Sequence, residues 1–277
     1  MKLGISSLGY VVDLGLSSQF NSLPDLLLKA TESCLTFAEE NGIGTCELVL
    51  EPLETLFDQN IENFIELCNS FKKIKKQIHG PFLDLNLCSH NTFVYKATIE
   101  TYKKSAEISE KIKANILTIH PGIANYLIKS ILQYNQEKLI NGIDEIVDNT
   151  KDFNVLICVE NMPKMVNFFL TIDDIDSFFK KINRNDIFMT WDTSHSWTCD
   201  IDVELLWKKF NKLIKNIHLV DNKDKETDLH PALGAGTIEF GKIIDIVKNY
   251  DYKGALIVEL SSAKGLLQSI EHMKKFL

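Results

Sequence analysis

Arginine is almost absent from this chain of 277 residues: Arg184 is the only one. The planar, bidentate guanidinium fork that dominates recognition of bases and phosphates is therefore nearly missing, and any such contact falls to lysine acting as a point charge. With 30 basic against 38 acidic residues the net charge is −8, so the whole-molecule field does not attract nucleic acid, and any DNA contact must be local. No CxxC pair occurs among the six cysteines Cys34, Cys46, Cys68, Cys88, Cys158 and Cys199, which argues against a zinc ribbon or disulfide frame and for reduced, mostly buried thiols. No apolar run approaches the roughly 18 residues of a membrane helix, and the opening Met1 to Asp13 lacks a signal-peptide core, so a cytoplasmic protein with no membrane partner is expected. Glycine-rich phosphate loops of the GxGxxG or P-loop type are missing as well, which weakens the case for a doubly wound nucleotide-binding sheet.

What is present is a repeated alternation of short β-rich runs with segments of helical period. The strands are expected at Lys2 to Ser6, Thr45 to Leu50, Lys76 to His79, Ile116 to His120, Val155 to Glu160, Ile187 to Asp192, Asn216 to Val220 and Ala255 to Leu260. Between the first two, Ser22 caps a helix with Pro24 in its first turn, Leu27, Ala30, Cys34 and Phe37 on one face, and Gly42 past its end. A stripe of Ile172, Ile175, Phe179 and Ile182 marks another helix, and Leu266, Ile270, Met273 and Leu277 mark the last. Eight strand–helix units in one domain spanning 1–277, undivided by any low-complexity linker, predict an α/β fold of the (β/α)8 TIM-barrel type.

Chemistry in such a barrel collects at the C-terminal ends of the strands. There stand His79 in Ile78-His79-Gly80-Pro81-Phe82, His120 in His120-Pro121-Gly122, Glu160 before Asn161, Asp192 and His195 in Asp192-Thr193-Ser194-His195, His218 before Leu219, and Glu259 between Val258 and Leu260. The loop after strand seven adds Asp228 and His230, followed by Leu233-Gly234-Ala235-Gly236. Any one of these side chains is accounted for by a helix cap or a hydrogen-bonded core histidine. Nine converging on one mouth are not, because the carboxylates repel and are desolvated unless cations neutralise them. Imidazole and carboxylate together suit zinc, with manganese or iron as alternatives. Nine ligands exceed the four to six or so of a single ion, and two or three ions bridged by Glu160 are expected. A multinuclear site of that kind suits hydrolysis of a phosphoester. His90 and His272 fall outside the set.

These motifs resemble the endonuclease IV and xylose-isomerase-like barrel superfamily over nearly the whole chain. The resemblance implies up to three Zn2+ ions. His79, His120 and Glu160 would hold the first, Glu160, Asp192, His218 and Glu259 the second, and His195, Asp228 and His230 the third. It further implies cleavage of DNA at abasic sites by a hydroxide between the first two ions, with Glu160 and Glu259 at the reacting centre. Phe82 is either a wedge into the base stack or ordinary rim packing. The chain departs from the endonuclease IV pattern in several places. Ile5-Ser6-Ser7-Leu8-Gly9 lacks the first-strand histidine and paired glycines, and Glu47 to Pro52 replaces a basic DNA-gripping loop. Ser194 replaces a cysteine, and Leu229 replaces an arginine.

Within the same superfamily a divalent-metal sugar or sugar-phosphate isomerase or epimerase is the alternative. It would use Glu160, Asp192, His218 and Glu259 to hold one Mn2+ or Mg2+, and Glu160 and Glu259 to move a proton beside a carbonyl. His79, His120 and His230 would then bind sugar hydroxyls. The Glu-Leu-x-x-Glu-Pro run at Glu47 to Pro52 suits it, whereas Val166 and Asp224 stand where ketose 3-epimerases commonly carry Glu and Arg. A non-catalytic metal or sugar-phosphate binding protein is the third reading. Lys164, Lys223 and Lys225 are read as solvated loop lysines, Glu47 and Glu51 as charges at the barrel edge, and Trp191 and Trp197 as rim packing. No protein partner is inferred.

Overall fold

The computed structural model describes residues 1–124 and 132–277. Eight parallel strands close into a barrel in sequence order, β1 (Lys2–Ser6), β2 (Thr45–Val49), β3 (Lys75–His79), β4 (Ile116–Ile119), β5 (Leu156–Glu160), β6 (Ile187–Asp192), β7 (Ile214–Leu219) and β8 (Ala255–Val258). Closure is made by β1 against β8, in a register that sets Lys2 opposite Ala255 and Ile5 opposite Val258.

Around the barrel run α1 (Leu8–Ser17), α2 (Leu23–Glu40), α3 (Ile61–Ser70), α4 (Thr92–Lys111), α5 (Leu132–Thr150), α6 (Ile172–Ile182), α7 (Thr193–Thr198), α8 (Val203–Phe210), α9 (Phe240–Asn249) and α10 (Leu266–Met273). The expected caps are in place. The Ser22 side chain accepts from the Asp25 amide at the start of α2, and Thr171 and Asp174 form a reciprocal capping box on α6, which ends at Asn183 in the left-handed conformation, φ 50°. Each cap satisfies amides that have no partner within the helix.

Leucine, isoleucine, valine and phenylalanine fill the layer between the strands and the helices. Three expectations are corrected there. On α6 the buried aromatic is Phe178, and Phe179 is only partly covered, because the face turned to the sheet runs Ile175–Phe178–Ile182. Leu277 lies beyond the end of α10 and is exposed. Trp191 is not at the rim: it is fully buried on the outer surface of β6, edge-to-face with Trp207 of α8 at 5.5 Å. Of the six cysteines, all free thiols, five are buried and Cys199 is partly exposed. Among the described residues no helix is long and apolar enough to cross a membrane.

Candidate metal centre

Strand alternation sends every second side chain into the barrel. His79, Glu160, Asp192 and His218 occupy inward positions at the ends of β3, β5, β6 and β7, and the ladders hold them in step: Asp192 pairs in register with His218, and Glu160 with Thr190. His120 and Glu259 follow one residue after β4 and β8; the Glu259 amide still donates to Leu219, extending the β7–β8 ladder by one rung. His195 is on the first turn of α7, anchored where its amide meets the Asp192 side chain at 2.7 Å.

Asp228 and His230 come from the long loop between β7 and α9. That loop is shaped by Asp221, a buried carboxylate that accepts from the amides of Asn222, Gly234, Gly236 and Ile238 at 2.8–3.2 Å. The two glycines are required there. Gly234 has φ +84°, and a Cβ on Gly236 would lie 2.2 Å from both Asp221 Oδ1 and the Asn222 carbonyl.

All nine expected residues converge on one mouth, and seven of them fall into three clusters of ligand-bearing size, His79–His120–Glu160, Glu160–Asp192–His195 and His195–Asp228–His230. The first and third are the expected groups, whereas in place of the expected second group Asp192 clusters with Glu160 and His195, and His218 and Glu259 cluster with Glu47. Glu160 is the hub. Its Oε2 lies 3.1 Å from His120 Nε2 and 3.4 Å from His79 Nε2, and its Oε1 lies 3.0 Å from His218 Nδ1. Asp228 bridges His195 Nε2 and His230 Nε2, each at 3.1 Å.

Two of the rings have their orientation set from behind. His79 Nδ1 donates to the Gly80 carbonyl at 2.8 Å and His195 Nδ1 to the Asn161 carbonyl at 2.7 Å, which turns Nε2 of each toward the carboxylates.

Cation-binding character is tested by the polar atoms left over. Glu160 Oε2, Asp192 Oδ2, Glu259 Oε2 and His230 Nδ1 are buried and none makes a hydrogen bond. Buried polar atoms seldom remain unpartnered, and four gathered at one mouth fit divalent ions well.

The electrostatics agree. Burial works against charge on His79, yet the Glu160 carboxylate beside it prevails and pushes the ring up to about 9. Burial also opposes charge on His195, His218 and His230, and all three are nonetheless raised, by Asp192 and Asp228, by Glu47 and Glu259, and by Asp228 respectively. On His120 burial wins and lowers the ring. Burial pushes Asp192 up to about 6. Glu160 and Asp228 are held low by their histidines in spite of burial.

Phe82 stands beside the first cluster, 5.4 Å from the His79 ring and 5.3 Å from that of His120. The Glu51 carboxylate fixes that turn by accepting from the Phe82 and Leu83 amides at 2.9 and 3.0 Å. Leu83 projects into solvent.

Glu47 and Glu51 are therefore not edge charges. Glu47 is fully buried inside the barrel with its Oε1 2.6 Å from His218 Nε2, and with His218 and Glu259 it forms a further ligand-type cluster. Strand parity is the available signal, since Glu47 and Glu51 share it, but parity does not distinguish the interior of a barrel from its rim. Lys164 and Lys225 are paired with Glu226 and Asp200. His90 contacts Asn135 and Tyr134, and His272 packs against Phe240 and Phe276, both away from the cluster.

A closed parallel barrel whose strand ends gather histidines and carboxylates around unpartnered oxygens fits a metal-dependent class of TIM-barrel protein. The chain belongs to the xylose isomerase-like TIM barrel family, whose model matches residues 35–276. An uncharacterised protein of Methanocaldococcus jannaschii is 27% identical across the whole chain and 89% of its own length. A probable endonuclease 4 of Thermotoga petrophila is 26% identical over 211 residues, 70% of this chain and 69% of that protein. Among solved structures, a D-tagatose 3-epimerase-like protein superposes with a TM-score of 0.82 at 24% identity, covering 100% of this chain and 97% of the other. The D-allulose 3-epimerase of Methylomonas sp. gives 0.76 at 15%, again covering 100% and 97%. At those identities the structural likeness concerns the fold.

Proposed function

We propose that the protein is a zinc-dependent phosphodiester hydrolase of the endonuclease IV type, acting on DNA at abasic sites. One observation carries the reading: His195, Asp228 and His230 form a further three-ligand group, with Asp228 3.1 Å from each ring, that shares His195 with the Glu160–Asp192–His195 cluster and adds two donors to it. A sugar epimerase working with a single ion has no need of it.

When bound, the divalent ions would activate a water and neutralise charge on the phosphate. The chain's own groups do the rest. His79 and His120 would hold the first ion with Glu160, and Glu160, Asp192, His218 and Glu259 would hold the second. Asp228 keeps the third group together by pairing with both of its histidines. Phe82, seated beside His79 and His120, closes the cluster from the side of β3 and presents an aromatic face to whatever enters.

A sugar or sugar-phosphate epimerase is the second reading, favoured by one feature of the mouth: Lys164 and Lys225 are already neutralised by Glu226 and Asp200, leaving little cationic surface for a DNA backbone. There Glu160 and Glu259, both facing His218 Nδ1, would exchange a proton with the substrate carbon.

Elemental analysis of protein purified without chelator or metal-binding tag separates the two. Near three zinc per chain, with incision of an abasic duplex, is the expected result. Near one manganese or magnesium per chain, with interconversion of a ketose and no incision, overturns the hydrolase and supports the epimerase.

A further inference from the structure

Beneath the proposed ions, where a barrel interior is usually filled with branched apolar side chains, this one carries a hydrogen-bonded polar layer. Glu47 on β2 pairs in register with Gln77, two residues short of His79. Its Oε2 accepts from Asn216 Nδ2 at 2.6 Å, Asn216 Nδ2 also lies 3.3 Å from Thr118 Oγ1, and Thr118 meets Thr190 at 2.7 Å. Glu47, Thr118, Thr190, Asn216 and His218 are all fully buried. A carboxylate without solvent and without a lysine or arginine beside it is costly, and its presence calls for a compensating partner.

That partner is His218. Glu47 Oε1 lies 2.6 Å from Nε2, while Nδ1 on the other side of the ring faces Glu160 Oε1 at 3.0 Å and Glu259 Oε2 at 3.5 Å. Both ring nitrogens face carboxylates, which only accept when ionised, and Nε2 also lies 3.1 Å from Asn216 Nδ2. Once a cation takes the place of a proton on the Nδ1 side, between Glu160 and Glu259, the one ring proton that remains is on Nε2, toward Glu47.

The geometry points to Glu47 as a positioning residue: from below the site it holds the His218 ring with Nδ1 toward Glu160 and Glu259, so that this histidine is a preoriented ligand of the second ion. Asn216 keeps Glu47 in place by occupying its other oxygen. The inference rests on the metal reading of the cluster and holds for either reaction proposed above. Charge balance favours it as well. In the three-ion reading only, six positive charges would stand against four negative ones from Glu160, Asp192, Asp228 and Glu259, and Glu47 supplies a fifth within one ring's width; with a single ion the role rests on the ring geometry alone.

The test uses the full chain with 15N-labelled histidine and zinc as the probe, in the variants Glu47→Ala and Glu47→Gln. In the unsubstituted protein the His218 Nε2 proton is expected far downfield with and without zinc. In Glu47→Ala zinc at one of the sites should bind about 10–100-fold more weakly in competition with a chromogenic chelator, and the other sites should be unchanged. Glu47→Gln, whose amide oxygen still accepts from Nε2, should recover part of that affinity, with the proton shifted upfield.

Unchanged zinc affinity in Glu47→Ala would overturn the proposal. So would loss of a whole zinc from Glu47→Gln with the His218 ring unaltered, since Glu47 would then itself be a ligand. Should Glu47→Ala fail to fold, the near-isosteric Gln variant decides through the ring proton, and an unmoved signal counts against the role. If the unsubstituted protein takes up no zinc or other divalent ion, it is the metal reading that fails, and the ring proton of the metal-free protein still decides for or against Glu47.

Discussion

Glu160 is the residue on which most of the site depends, since its two oxygens face His79 and His120 on one side and His218 on the other. Glu160→Gln replaces one of those oxygens with a donor that neither a ring N–H nor a cation accepts. Activity should fall below detection and metal content should drop, measured by assay and elemental analysis of the same sample; a fully active, fully loaded variant would refute the shared-carboxylate arrangement. His230→Ala should remove about one metal per chain and leave the fold intact, because His230 lies on a loop and contributes little to the core. An unchanged stoichiometry would show that the third group does not bind as drawn. The histidines and carboxylates themselves are legible in the chain, because each follows a β-rich run or the loop beyond one, and five of the seven histidines fall at such positions. Glu47 is not. In Thr45–Val49 the four residues after Thr45 are all buried, on both faces of the strand, so nothing in the local pattern separates a carboxylate aimed at His218 from one at an edge.

At the scale of elements, the loop between β7 and α9 carries two of the nine residues, and its shape is set by one carboxylate. Asp221→Asn would place an NH2 group against backbone donors. It should cost about 1–3 kcal/mol in chemical denaturation, together with reduced metal at the His195–Asp228–His230 group. Wild-type metal content in that variant would mean that the loop holds its form by other contacts. The Leu233–Gly236 turn is legible in the sequence but its cause is not, since Asp221 is 13 residues from Gly234 and the bond between them is a tertiary one. Strand boundaries are legible to within about two residues because turn chemistry at their ends is local. The choice of Phe178 over Phe179 depends on how α6 rotates against its neighbours, which the helical period alone leaves open by one position.

For the whole molecule the question is where its cations lie. Five lysines, Lys72, Lys75, Lys76, Lys111 and Lys113, line a cavity of about 770 Å3 at the N-terminal ends of β3 and β4, the end of the barrel opposite the metal cluster. At the mouth Lys164 and Lys225 are paired, and among the described residues Lys223 makes no ion pair. Abasic duplex should therefore bind with a shallow salt dependence, a slope of log K against log salt of about −1 to −2, measurable by fluorescence anisotropy. A slope several times steeper would place the DNA on a surface other than this mouth.

The lone arginine is not available to DNA either. Arg184 forks onto Asp186 with two bonds of 2.8 Å and reaches Asp148 of α5 at 2.8 Å. Arg184→Lys loses the fork and should cost about 0.5–1 kcal/mol, allowing for the half-exposed Asp186. The hydrogen bonds from Arg184 hold Asp186 below its ordinary 3.8, so this contribution is complete above about pH 4 and fades as acid protonates the carboxylate. The difference in Tm between the two proteins should shrink below that pH, and a difference constant down to about pH 2 would argue against the ion pair as its source.

His195, Asp228 and His230 sit on two short segments outside the strands, the short helix α7 and one loop pinned by Asp221, whereas the remaining candidate ligands are built into or directly beside the barrel wall. The centre is thus modular. In the proposed reading, exchanging that one loop would change the number of ions held and leave the strand ladders as they are, so the reaction is altered at the cost of the loop's own Asp221 contacts and not of the barrel.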